Sequence, residues 1–147
     1  MPEGYIDPEL YKEIRKNISI PCVDAVVVHS GKFLLGKRTN KPVKGEWWFP
    51  GGRMLVGEKF EEAISRKIKQ ETSLVVKTQK FLALETWDHP DGPDDIPAHS
   101  IACVFKTTVV SSNLKLEQQH SRFKWYSKID LKWDPYVIRM LRKAGFK

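Results

Sequence analysis

The segment from Pro50 to Leu74 constrains the fold of this chain more tightly than any other. Pro50-Gly51-Gly52 is followed by a helical pattern over about residues 58–73. At roughly 100° per residue, Phe60, Ala63, Ile64 and Ile68 share one face, and Glu58, Glu62, Ser65 and Lys69 share the opposite one. A stripe of that kind has to be buried against a sheet or another helix. Glu71 breaks the pattern, because it falls on the apolar side between Phe60 and Ile64. A carboxylate aimed at a core must be paired, protonated or bound to a metal. Lys67 stands one helical turn back on the same face, and spacing alone favours a Lys67–Glu71 ion pair at the helix end. The two glycines ahead of the helix let backbone come close to a ligand, as side chains would not.

The rest of the chain supplies the surface against which such a helix packs. Asp7-Pro8-Glu9 opens a first helix, with Leu10, Ile14 and Ile18 at helical spacing and Pro21 as its stop. Val23–His29 and Lys32–Lys37 read as strands joined by a tight Ser30-Gly31 hairpin. Residues 38–46 form a loop, and Trp47-Trp48-Phe49 is a short apolar run. Val75-Val76, Phe81–Trp87, Ser100–Val110 and Phe123–Tyr126 read as strands, with a proline-rich loop over 88–98. Asp134-Pro135 caps a last helix, with Val137, Ile138 and Leu141 inward. This order of helix, strands, helix, strands, helix describes one mixed α/β (or α+β) layered domain over residues 1–147.

Composition removes several classes of function. The longest apolar run is Ala25–Val28, so nothing spans a membrane. Met1–Asn17 has no apolar signal core, and Cys22 and Cys103 lie in strand-like stretches without metal spacing. Buried free thiols in a reducing cytoplasm are expected. The net charge of +7 admits nucleic acid, but no basic stripe interleaves with aromatics, so a small anionic substrate is favoured.

The spacing Gly52, five residues, Glu58, seven residues, Arg66 resembles the signature of the Nudix hydrolases. In that family it continues as Arg-Glu-aliphatic-any-Glu-Glu-any-Gly-aliphatic. Here it continues Arg66-Lys67-Ile68-Lys69-Gln70-Glu71-Thr72-Ser73-Leu74. Gly52, Glu58, Arg66, Ile68, Glu71 and Leu74 match, whereas Lys67, Gln70 and Ser73 depart. Phe33-Leu34-Leu35-Gly36-Lys37-Arg38 and Trp48-Phe49-Pro50-Gly51-Gly52 resemble the family too. The resemblance implies an α/β/α sandwich with a mixed sheet, a loop-helix motif over about 51–74 and a helical extension over about 7–18. It also implies a divalent metal, one Mg²⁺ with Mn²⁺ as an alternative. Lys67 would compete with that metal for Glu71.

The losses at 67 and 70 resemble one branch, the GDP-mannose mannosyl hydrolases, which cut between sugar carbon and phosphate oxygen. Gly36-Lys37-Arg38-Thr39-Asn40, Pro50-Gly51-Gly52-Arg53, Trp87-Asp88-His89, Asp24 and Gln119-His120 before Trp125 are similar to that branch. By that resemblance Gly51, Glu71 and Gln119 hold the metal and His120 is the general base. Asp24, Arg38, Arg53, Arg66 and His89 line the substrate site, with Arg38 also serving catalysis. Ser100 departs from the branch, which carries Tyr there. The expected partner is a nucleotide sugar, with room for a homodimer. Two rivals stand beside this reading: a Nudix pyrophosphohydrolase of a nucleoside di- or triphosphate or other diphosphate conjugate, and a non-catalytic nucleotide-binding module. A metal cluster built from His89, Asp91, Asp94, Asp95 and His99 is a further alternative, although Asp91-Gly92-Pro93 is turn chemistry.

Overall fold

The computed structural model describes residues 4–114 and 122–147. Helix α1 (Pro8–Asn17) precedes β1 (Ile20–His29), β2 (Lys32–Lys37), β3 (Trp47–Trp48) and β4 (Gly51–Arg53). Helix α2 (Phe60–Thr72), β5 (Val76–His89), a short 3₁₀ turn (Pro93–Asp95), β6 (Ala98–Val109), β7 (Phe123–Tyr126) and α3 (Pro135–Lys143) follow. The strands form one mixed sheet in the order β3-β2-β1-β6-β5, with β4 paired to β1 and β7 to β2. β1 runs parallel to β6 and antiparallel to β2 and β4.

Alternation along β1 sorts its side chains between two cores. Val23, Ala25 and Val27 pack with Ala63, Ile64 and Ile68 of α2. Val26 packs on the other face with Phe33, Leu35 and Met140, Val137 and Leu141 of α3. The sheet is therefore covered on both faces, which is the three-layered arrangement expected. Among the described residues no helix is long and apolar enough to cross a membrane.

Two boundaries differ from the sequence reading. Helix α2 begins at Phe60 because Glu58 is drawn away by Leu55 and Arg66. The two strands expected around residues 75–87 are one strand of 14 residues, irregular between Phe81 and Ala83. β5 is an edge strand, and in its Lys77–Lys80 stretch Lys77, Thr78 and Lys80 are exposed while the half-buried Gln79 bonds to Glu61 and Ser65 of α2, so the stretch carries no apolar alternation.

Asp24 is the polar exception in β1. Its position places it on the α3 side, where the Tyr136 hydroxyl donates to Oδ2 at 2.7 Å. Burial pushes its carboxyl up to about 6; Glu71 adds to the rise, while the Tyr136 bond and Arg38 oppose it. An unfolded aspartate releases its proton near 3.9. Between about pH 4 and 6 the folded chain thus holds a proton that the unfolded chain has lost. Stability from this group falls as pH rises through that window, by on the order of 2–3 kcal/mol. Urea midpoints at pH 4 and pH 7 test this: Asp24→Asn should remove that part of the decline. An equal decline in both proteins would show that Asp24 does not titrate late.

Candidate functional site

The site is built where β4 and α2 converge on β1. Cys22, Val23 and Asp24 pair with Arg53, Gly52 and Gly51. A Cβ at Gly51 would strike the Val23 carbonyl and the Asp24 carboxylate. One at Gly52 would lie 2.8 Å from Lys67 Cε and 3.1 Å from its Nζ. Close approach to backbone therefore requires glycine at 51, whereas at 52 the lysine tip could give way and it is the φ of +153° that favours glycine. Glu71 Oε1 accepts the Gly51 N–H at 3.4 Å and lies 3.4 Å from Lys67 Nζ.

The intervening loop is clamped to the helix. Arg66 donates to both oxygens of Glu58, at 2.5 and 3.0 Å, and to the Arg53 carbonyl at 3.1 Å. Glu58 also accepts the Leu55 N–H at 2.9 Å. The Arg66 bond, with the Leu55 bond beside it, holds the Glu58 carboxyl below its usual range.

Two clefts meet at this point. A mainly apolar one of about 410 Å³ includes Tyr11, Trp48, Phe49 and Trp87 in its walls. A polar one of about 240 Å³ includes Lys37, Lys67, Glu71 and Arg122. Arg38, Trp48, Phe49 and Gly51 belong to both. Arg38 is held in place by its Nε bond to the Pro42 carbonyl at 2.7 Å. Burial lowers its pKa, while Asp24 and Glu71 act in the opposite direction. In the apolar cleft, burial, with Asp24 nearby, pushes the Cys22 thiol up to about 11, so it stays neutral.

Among the residues singled out from the sequence, Asp24, Arg38, Gly51, Arg53 and Glu71 come together at these clefts. Arg66 and His89 line neither. Arg66 is engaged in the loop clamp, bonded to Glu58 and to the Arg53 carbonyl. His89 stacks on Trp87 with ring centroids 5.9 Å apart, and its Nδ1 accepts the Asp91 N–H. His99, bonded to Asp88 at 2.7 Å, lines the apolar cleft instead, next to Ser100. Gln119 and His120 lie outside the described residues. The acids of the proline-rich loop do not gather: Asp91 pairs with Lys41 at 2.9 Å and Asp94 with Arg15 at 2.6 Å. Among the described residues no three His, Cys, Asp or Glu side chains form a group that could hold a metal.

The sequence reading missed the contribution of α1. Tyr11 and Arg15 wall the apolar cleft, while Leu10 and Ile18 are exposed. Arg15 donates to the Pro93 carbonyl at 2.9 Å, and the Arg53 guanidinium lies 5.2 Å from the Tyr11 ring centre. The one-turn spacing of Tyr11 and Arg15 was the available signal, hidden by the more obvious apolar residues beside it.

The NUDIX domain family model matches residues 19–143. The chain belongs to the Nudix hydrolase family. This Nudix chain is 31% identical over 144 residues to the low-salt glycan biosynthesis protein Agl8 of Haloferax volcanii, covering 95% of the chain and 91% of that protein. It is 40% identical over 94 residues to the ADP-ribose pyrophosphatase of Methanocaldococcus jannaschii, covering 64% of the chain and 53% of that protein. The crystal structure of a MutT NUDIX hydrolase from Burkholderia pseudomallei superposes with a TM-score of 0.70 at 22% identity, covering 88% of this chain and all of that one. That likeness shows the α/β/α fold. None of these three names a GDP-mannose hydrolase.

The Nudix loop clamp is testable by equilibrium unfolding. Arg66→Ala strands the Glu58 carboxylate, whose side chain is only 11% exposed, and should cost about 1–3 kcal/mol. Adding Glu58→Gln should recover part of the loss. Purely additive effects would show that the pair does not hold the loop.

Proposed function

We propose that this Nudix chain hydrolyses a nucleoside diphosphate conjugate at its diphosphate bridge. The observation that carries the reading is the junction of an apolar and a polar cleft at Arg38 and Gly51. A nucleoside diphosphate conjugate is likewise apolar and planar at the base and anionic at the bridge. The apolar cleft walled by Tyr11, Trp48 and Trp87 would take the base, and Arg38 offers phosphate oxygens a guanidinium at the boundary. The name of the archaeal ADP-ribose pyrophosphatase, an enzyme of this class of substrate, supports the same reading.

A divalent ion fits only in a particular way. Among the described residues Glu71 is the single carboxylate lining the polar cleft, and Lys67 touches it. Such a donor set suits a Mg²⁺ that keeps its waters and takes phosphate oxygens, rather than an all-protein cage. Glu71 and the Gly51 backbone would hold it, with Mn²⁺ as a substitute. When bound, the ion neutralises charge developing on the phosphate oxygens. The chain's own residues bind the base, orient the bridge through Arg38 and exclude water with Trp48 and Phe49.

A second reading, cleavage of GDP-mannose or a related GDP-hexose to GDP and free sugar, is favoured by one observation. Helix α2 presents Lys67 on Glu71, and Gln70 is bonded to Arg66 at 3.2 Å, where the family carries acids. On that reading Gln119 completes the metal ligands and His120 activates water, and His120→Gln lowers kcat roughly 10²–10⁴-fold.

Incubation with ADP-ribose and with GDP-mannose, Mg²⁺ and ¹⁸O water separates the two. Label in a phosphate product is expected. Label in the sugar, beside unlabelled GDP, would replace the first reading by the second, and turnover of neither conjugate would count against both. Glu71→Gln should weaken Mg²⁺ binding by roughly tenfold to a hundredfold, whereas Gln70→Ala should change it little. Equal losses would mean that Glu71 is not the metal residue.

A further inference from the structure

The polar cleft has an unusual charge balance for a place expected to hold a cation. Among the described residues lining it, four are cations, Lys37, Arg38, Lys67 and Arg122, and one is an acid, Glu71. Lys67 reaches it by passing over Gly52, whose missing Cβ leaves room for the lysine stem. Among the described residues its one ion pair is with Glu71, through a single contact of 3.4 Å. An ammonium has three donors. That contact satisfies one of them loosely, so the group is placed in the cleft with capacity to spare.

We propose that the polar cleft is a phosphate site built from protein cations, with Lys67 as a phosphate ligand. It rests on the diphosphate reading above. In the free chain Lys67 rests on Glu71. With a diphosphate bound, its Nζ turns to a phosphate oxygen, and the Glu71 carboxylate is released for a divalent ion. Lys67 then supplies in the protein part of the positive charge that acidic residues at 67 and 70 would otherwise recruit as metal. Two features follow from the chemistry. Diphosphate binds before any metal does, because among the described lining residues four cations outweigh one carboxylate. Diphosphate and Mg²⁺ also bind with positive coupling, because each removes a competitor of the other.

Calorimetry on the full chain tests this, with inorganic pyrophosphate as the probe and a chelator present throughout. The wild type should bind pyrophosphate. Lys67→Gln should weaken that binding roughly tenfold to a hundredfold, as loss of a charge-assisted bond would. Lys67→Arg should keep most of it. A second titration, with Mg²⁺ and no chelator, should show tighter metal binding in wild type when pyrophosphate is present, and loss of that coupling in Lys67→Gln. Near-UV circular dichroism checks the fold, and Lys67→Arg against Lys67→Met repeats the comparison if the glutamine variant does not fold. No binding by wild type under chelation, or equal affinity in wild type and Lys67→Gln, overturns the proposal. Label transfer into phosphate with unchanged Lys67→Gln affinity would sink this inference alone. Lys67-dependent pyrophosphate binding without turnover of either conjugate would sink the functional reading alone.

Discussion

Between β1 and α2 the backbone at Gly51 runs so close to its neighbours that the residue has no room for a side chain, and Gly52 beside it holds a φ of +153° that side-chain-bearing residues rarely adopt. A Cβ on Gly51 would meet the Val23 carbonyl and the Asp24 carboxylate, and one on Gly52 would meet the Lys67 stem. The short β4 pairing, the Gly51 N–H contact to Glu71 and the path of Lys67 all follow from that proximity. The Arg66–Glu58 clamp holds the loop on its far side, so the approach is fixed from both ends. Protein interiors transmit such constraints because they are close-packed. A change at either glycine is therefore felt in the sheet, in the helix and in both clefts.

The electrostatics of the site are set by burial as much as by proximity. Asp24 and Arg38 influence each other across the cleft junction, Glu71 acts on both, and both are also shifted by loss of water. Tyr136 belongs to the same group: burial and the Asp24 carboxylate raise its hydroxyl well above its ordinary value, so it remains a donor. A last helix that looks merely structural thus fixes the orientation of a carboxylate beside the glycine turn. Arg38, bonded to the Pro42 carbonyl, keeps a cation at the boundary where an anion would cross from one cleft to the other.

Much of this was legible in the sequence, for reasons that differ by residue. Helical periodicity marked the α2 stripe and an apolar run marked β1, while the division of β1 between two cores is shown by the structure. Glu71 stood out because a carboxylate on an apolar face needs an explanation, and Asp24 because it interrupts an apolar strand. The Lys67–Glu71 contact was legible from one-turn spacing. The bonds of Arg66 to Glu58 and to the Arg53 carbonyl were not legible, because spacing along a helix does not say which way a guanidinium turns. The roles of Tyr11, Arg15 and His99 depend on α1 and the proline-rich loop meeting across the apolar cleft, a long-range contact that no local pattern encodes. The same distance hid the pairing of Asp91 with Lys41, which disperses the acids of that loop.

The central claim is that one nucleotide occupies both clefts and crosses at Gly51 and Arg38. Two-dimensional ¹⁵N–¹H NMR of the full chain, titrated with ADP, tests it most directly. The account expects shifts at the Gly51 and Gly52 amides, at the Arg38 Nε–H and at the Trp48 indole N–H, all saturating along one binding curve. Shifts confined to the separate cleft around Tyr126, Asp130 and Trp133 would contradict it. So would a response in the polar cleft with none at Trp48.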